Sequence, residues 1–160
     1  MVVNCSDRSV GGLTAKAELL NMDGSVKWSK TASLDSAEDT AVTCMSMEYP
    51  SGLTPVHFIR LMLSNGQTMI SNNLYMRGLQ EGDCRAIRQL SKAQVKATTR
   101  AARKGDRWEL TAELQNTSAY PALGVRMTVV RERTGDRILP VIFDDNSVTL
   151  MPGEQAPLPA

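Results

Sequence analysis

The 160-residue chain is 42% hydrophobic and 22% charged. It has room for one ordinary domain or two small ones, and is too short for a (β/α)8 barrel, which needs roughly 250 residues. Apolar residues are too plentiful for a disordered chain, no apolar run approaches the ~18 residues that span a membrane, and a formal charge of +1 lacks the bulk positive field of a nucleic-acid binder.

The start, Met1-Val2-Val3-Asn4, has no charged region followed by a long apolar core, so it does not read as a signal peptide. It reads as part of a strand, as in an excised piece. After Gly11-Gly12, Leu13, Ala15, Ala17 and Leu19 alternate with Thr14, Lys16 and Glu18. That period of two buries one face of a strand and wets the other. Further strands are expected at Val26–Thr31, Thr40–Met47, Val56–Leu63 and Thr68–Met76. A turn is expected at Met22-Asp23-Gly24-Ser25. Asn65-Gly66 is expected to form a type I′ hairpin, which needs positive φ at both central residues.

Later, Trp108, Leu110, Ala112 and Leu114 alternate with Glu109, Thr111, Glu113 and Gln115, and Val125, Met127 and Val129 alternate with Arg126 and Thr128. Ile138–Ile142 is a last candidate strand. Lys104-Gly105-Asp106 and Thr134-Gly135-Asp136 read as turns. Strands with turns every 8–12 residues indicate an all-β sandwich rather than βαβ units. A weak internal repeat, a strand ending at Asn4 or Asn116 and a longer strand starting at Gly12 or Gly124, points to two tandem antiparallel β-sandwiches. The expected domains are 1–78 and 88–160, joined by a linker at 79–87.

Between residues 85 and 107 lie eight cations (Arg85, Arg88, Lys92, Lys96, Arg100, Arg103, Lys104, Arg107) against Asp106 alone, a net of 8 − 1 = +7. Spacing of i, i+3 or i, i+4 would make a basic stripe on a helix that binds phosphate or an acidic surface. Val95, Thr98 and Thr99 favour strand, and no aromatics interleave to stack on bases. A linker plus a lysine-rich edge strand is the expected reading, with no nucleic-acid partner.

Little chemistry is on offer. His57, the one histidine, sits in an apolar strand and is expected to face solvent or be satisfied in place, since no second histidine builds a metal site. Cys5, Cys44 and Cys84 are widely spaced, with no C-x-x-C, and leave disulfide pairing open. Phosphate-loop, dinucleotide and nucleophile-elbow motifs are missing. Glu38-Asp39, Glu81 with Asp83, and Asp144-Asp145 read as turn or solvated-face carboxylates. No catalytic residue, metal ligand or cofactor site is expected. Trp28 and Trp108 are expected to pack between sheets. Trp28, Tyr75 and Tyr120 are the candidate carbohydrate-contact residues, should they form an exposed platform. Asn4 and Asn116 are expected to bond nearby backbone at loop entrances, and Pro152-Gly153 to form a type II turn.

Specific strings then matter. Gly12–Glu18, Asp23-Gly24-Ser25-Val26-Lys27-Trp28, Pro55–Leu61 and Asn73-Leu74-Tyr75-Met76 resemble the immunoglobulin-like sandwich that follows the catalytic barrel in β-mannosidases and exo-β-glucosaminidases of glycoside hydrolase family 2. Leu114-Gln115-Asn116-Thr117-Ser118, Pro121–Arg126, Ile138-Leu139-Pro140, Asp145-Asn146 and Leu150-Met151-Pro152-Gly153-Glu154 resemble the next immunoglobulin-like domain of the same enzymes. The resemblance implies a non-catalytic fragment that supports a barrel absent from this chain. The family's catalytic glutamates, one in an Asn-Glu pair, have no counterpart here. Its implied partners are that barrel, the parent's other domains and an oligosaccharide. Its implied location is periplasmic or secreted. Beyond Glu154 the family adds strands that the short tail Gln155–Ala160 is expected to lack. An incomplete second sandwich would leave an open sheet edge and invite self-association.

Overall fold

The structure, a computed structural model, describes the backbone of residues 1–159 and side chains through Ala156. The fold is all-β, in two compact units, Met1–Leu90 and Ser91–Ala160.

The first unit contains β1 (Val2–Asn4), β2 (Val10–Asn21), β3 (Val26–Ser36), β4 (Thr40–Val42), β5 (Val56–Asn65) and β6 (Thr68–Gly78). An antiparallel sheet runs in the order β3-β2-β5-β6, and β1 pairs with β4 in a second, two-stranded sheet. The alternation in β2 has the expected effect, since Leu13, Ala15, Ala17 and Leu19 are all buried. Leu19, Leu53 and Ile59 form a core cluster, with Trp28 and Met47 packed against it. Each large side chain removed from water in this way contributes about 2 kcal/mol.

Three sequence expectations shift. The strand expected at Thr40–Met47 ends at Val42, and residues 43–55 carry neither helix nor strand. Pro50 and Pro55 cannot donate to a ladder. The β5–β6 hairpin pairs Asn65 with Thr68, so its loop is Gly66-Gln67. Gly66 has φ 55° and Gln67 does not have positive φ. That is the type II′ pattern, which needs glycine at the first central position only. The expected linker, 79–87, is part of the first unit. The Leu79 amide donates to Pro55 O at 2.8 Å, and Arg85–Gln89 forms a 3₁₀ helix.

The second unit contains β7 (Val95–Lys104), β8 (Arg107–Asn116), β9 (Ala122–Val125), β10 (Val148–Leu150) and β11 (Gln155–Pro159). One antiparallel sheet has the order β11-β8-β7, and β9 pairs with β10 in the other. Leu114 of the first sheet meets Ala122 and Leu150 of the second, with Val95, Val125, Met127 and Val148 around them, so the core lies between sheets. The basic stretch is strand through Val95–Lys104, as its β-branched residues indicate. The tail after Glu154, expected to lack a strand, pairs with β8 as β11.

Ile138–Ile142 and most of Val125–Val129, by contrast, do not join a sheet. A single bridge, Val130 to Arg137, stands in their place. Pro140 removes a donor from the later segment. Asn146 supplies what the ladder does not. The Met127 amide donates to Asn146 Oδ1 at 2.8 Å, and Asn146 Nδ2 donates back to Met127 O at 3.1 Å.

Candidate functional site

The alternating strands decide where each candidate side chain stands. In the first unit, register aligns Trp28 of β3 with Leu19 of β2, Leu19 with Ile59 of β5, and Ile59 with Tyr75 of β6. Trp28 and Tyr75 therefore share one face, at opposite ends of a four-residue row. Three strand spacings separate them, roughly 14 Å. Trp28 is half-buried against the core cluster, whereas Tyr75 is 51% exposed.

Tyr75 borders a groove of about 450 Å³ between the two sheets of this unit. Val2 and Val3 of β1, Cys44, Met45 and Met47 form one side of it, and Ala15, Ala17, Leu61 and Leu63 lie on the other. Flexible methionines give such a groove an adaptable apolar lining. Ser71 and Asn73 supply polar groups beside Tyr75. Tyr120, the third candidate, is 42% exposed in the second unit, and its carbonyl accepts from Asn116 Nδ2 at 2.8 Å.

Sequence reasoning missed Trp108. Expected between sheets, it is 66% exposed at the turn end of the β7–β8 hairpin. It faces a cavity of about 450 Å³ lined also by Leu110, Pro140, Val141 and Ile142. The missing strand at Ile138–Ile142 explains the difference, because nothing regular covers that end of the sheet. A proline inside the expected strand was the available signal.

His57 also departs from expectation. It does not face solvent: its side chain is fully buried, and neither ring nitrogen makes a well-formed hydrogen bond, the Thr54 backbone offering only a weak one. Burial, and then the Arg77 charge, hold its pKa below the usual histidine value, while the nearby Thr54 backbone opposes them more weakly.

The carboxylates do not assemble into a catalytic pair. A general acid needs its pKa raised by burial or by a neighbouring negative charge. Asp23 and Asp83 are both shifted the other way. Asp23 is lowered by hydrogen bonds from the Ser25 hydroxyl and amide, at 2.6 and 2.9 Å. Asp83 is lowered to about 2 by hydrogen bonds from the Arg85 side chain and amide. Glu38, Asp39, Glu81, Asp144 and Asp145 lie in loops outside the strands. Among the described residues no group of three His, Cys, Asp or Glu side chains is placed to hold a metal ion. All three cysteines are free thiols.

The Asn-x-Ser loops are the best-built polar features of both units, and they are structural. In each, the asparagine Oδ1 accepts from the amide and hydroxyl of the serine two residues on, and that single hydroxyl proton is shared with the carbonyl two residues further, at the longer distance of 3.1 Å. Asn4 Nδ2 also donates to Arg8 O and Ala37 O, as Asn116 Nδ2 does to Tyr120 O and Leu150 O. Both amides are spent on backbone.

Residues 73–160 match the family described as the exo-β-D-glucosaminidase Ig-fold domain. An exo-β-D-glucosaminidase of Amycolatopsis orientalis is 29% identical over an alignment that covers 100% of this chain and 18% of the relative. One from Arthroderma benhamiae is 27% identical, with 98% and 20% covered. A crystal structure of the Amycolatopsis orientalis exo-chitosanase CsxA superposes with a TM-score of 0.84 at 28% identity, covering 99% of this chain and 21% of the other. The chain thus spans about a fifth of the length of the relatives it matches.

Proposed function

The chain belongs to the exo-β-D-glucosaminidase Ig-fold domain family, and from that premise we propose that its parent is an exo-acting β-glycosidase of glucosamine-containing glycans. The chain itself is a non-catalytic accessory portion of a family 2 glycoside hydrolase. The observation that carries the proposal is the superposition over nearly the whole chain on one fifth of an exo-chitosanase. A piece of that extent takes both units and leaves four fifths of such an enzyme to hold the chemistry.

The parent's catalytic domain is the principal partner in this reading. The finer resemblance to β-mannosidases is weighed by substrate. The purified chain is expected to release no nitrophenol from nitrophenyl β-glucosaminide or β-mannoside. The intact parent is expected to favour the glucosaminide. Turnover by the chain alone sinks the accessory role, and a preference for mannoside by the parent sinks the substrate assignment.

Two further readings rest on single observations. The exposure of Tyr75 at the groove rim supports contact with an oligosaccharide, since an aromatic face stacks on a pyranose ring. Titration with chitosan oligomers is expected to show weak binding that Tyr75→Ala removes. The outer edge of β7, which has β8 on one side only, supports self-association. Its lysines and arginines repel a second copy, so light scattering is expected to show association rising with salt.

A further inference from the structure

We propose that His57 is an acid-sensitive latch: its neutral imidazole lets residues 43–55 close over one end of the first unit's main sheet, and its protonation releases that segment. Three observations converge on it. The side chain is 1% exposed, and neither ring nitrogen makes a well-formed hydrogen bond. A neutral imidazole tolerates such a place at modest cost, whereas a buried imidazolium whose two donors are at best weakly paired does not.

The elements around it add no acid. Register puts Asn21 of β2 on one side of His57 and Arg77 of β6 on the other. From the segment itself, the Tyr49 ring stands edge-on at 5.7 Å between centroids, with the planes at 84°. Among the described residues, Arg77 is the charged group that acts on the imidazole, and it is of the wrong sign to hold a cation. The Thr54 backbone offers the imidazolium one weak hydrogen bond, outweighed by burial and by Arg77, so protonation is accommodated chiefly by admitting water.

Residues 43–55 are the part able to yield. They have no helix or strand between β4 and β5. Their far end is pinned, because the Thr54 amide donates to Asn21 Oδ1 at 3.0 Å and the Met22 amide donates to Thr54 Oγ1 at 2.9 Å. Tyr49 lies on the unpinned side of that anchor, so moving it uncovers His57 without breaking the β2–β5 ladder.

The chain's single histidine makes the test clean, since one imidazole signal reports it by NMR. The signal is expected to titrate below the ordinary histidine value. Over the same pH range, hydrogen exchange of residues 43–55, corrected for intrinsic rates, is expected to speed up by as much as about tenfold per pH unit. The β2 and β5 amides are expected to stay protected. His57→Leu is expected to fold and to flatten the pH dependence, with His57→Phe as the second variant should leucine pack poorly. The proposal is overturned by titration at or above the ordinary value. It is equally overturned if exchange in 43–55 ignores pH, if acceleration persists in the folded leucine or phenylalanine variant, or if the whole unit opens together.

Discussion

Asn116 Nδ2 donates to the Leu150 carbonyl at 2.9 Å, tying the end of β8 in one sheet to β10 in the other. The side chain is completely buried. Its second proton goes to Tyr120 O, and its oxygen takes the Ser118 amide and hydroxyl. Asn116→Ala strands several of these groups away from water, and each buried orphan costs about 1–3 kcal/mol. A loss of about 3 kcal/mol in the second unit is expected in urea unfolding. The same change at Asn4, which is only half-buried, is expected to cost about 1 kcal/mol, because water replaces the lost bonds. Equal losses at the two sites would contradict the burial argument.

Asn146 is the next test of the second unit. Its amide bonds both backbone groups of Met127 where the strand ladder has stopped. Asn146→Ala frees that peptide and loosens the packing of Met127 on the Leu114–Leu150 core. The expected loss is about 1–2 kcal/mol, with the Met127 amide showing the largest rise in exchange. Asn146→Asp is expected to keep the bond from the Met127 amide and lose the one to its carbonyl, giving a smaller effect.

Period-two alternation made the strands and their buried faces legible, because Leu13 to Leu19 and Leu110 to Leu114 repeat at the spacing of a pleat. The Asn4 and Asn116 loops were legible too, since an asparagine at a loop entrance has few ways to satisfy its amide other than on nearby backbone. Trp108 and His57 were not. Whether Trp108 is covered depends on a distant segment, Ile138–Ile142, whose apolar sequence looks like a strand and whose Pro140 prevents it. His57 is buried by Tyr49 and by its neighbours across the ladder, contacts that no local pattern encodes. The candidate aromatics divide likewise: Trp28 and Tyr75 both sit in alternating strands, and only the sheet order and register show that they share a face and which end of the row is open.

Glycine 78 closes β6 at the point where the chain turns back on the first unit. A methyl group built there would stand 2.1 Å from the Asp83 carbonyl oxygen and 2.8 Å from that of Gln80. Both are backbone atoms that cannot swing aside, so Gly78→Ala must shift the 79–83 loop. A cost of about 3 kcal/mol is expected, in the range of overpacked sites. Gly66→Ala meets nothing within 4 Å but must hold φ 55°. Its expected cost is about 1–2 kcal/mol, from holding an L-residue at a positive φ that glycine alone adopts freely. Thermal unfolding of the two variants should therefore rank them, and the reverse order would mean that the loop after β6 is more pliant than its hydrogen bonds indicate.

The Asp83–Arg85 contact offers a pH test with a defined sign. Arg85 donates from Nε to Asp83 Oδ1 at 3.0 Å and from Nη2 to Oδ2 at 2.7 Å, and its amide donates to Oδ1 at 3.0 Å. These bonds favour the ionised carboxylate and lower it from 3.8 to about 2. A lowered carboxylate binds fewer protons in the folded state than in the unfolded one. Its contribution to stability is therefore complete above 3.8 and is lost as the pH falls toward about 2. The carboxyl carbon of Asp83 is expected to titrate near that lower value by NMR. Arg85→Gln removes the guanidinium, the largest cause, and keeps the amide, so the midpoint is expected to rise and stop short of 3.8. In 1 M salt the wild-type midpoint is expected to rise as well, because the pair is solvent-exposed and screened. A midpoint that ignores both the substitution and the salt would leave the amide bond as the sole cause of the shift.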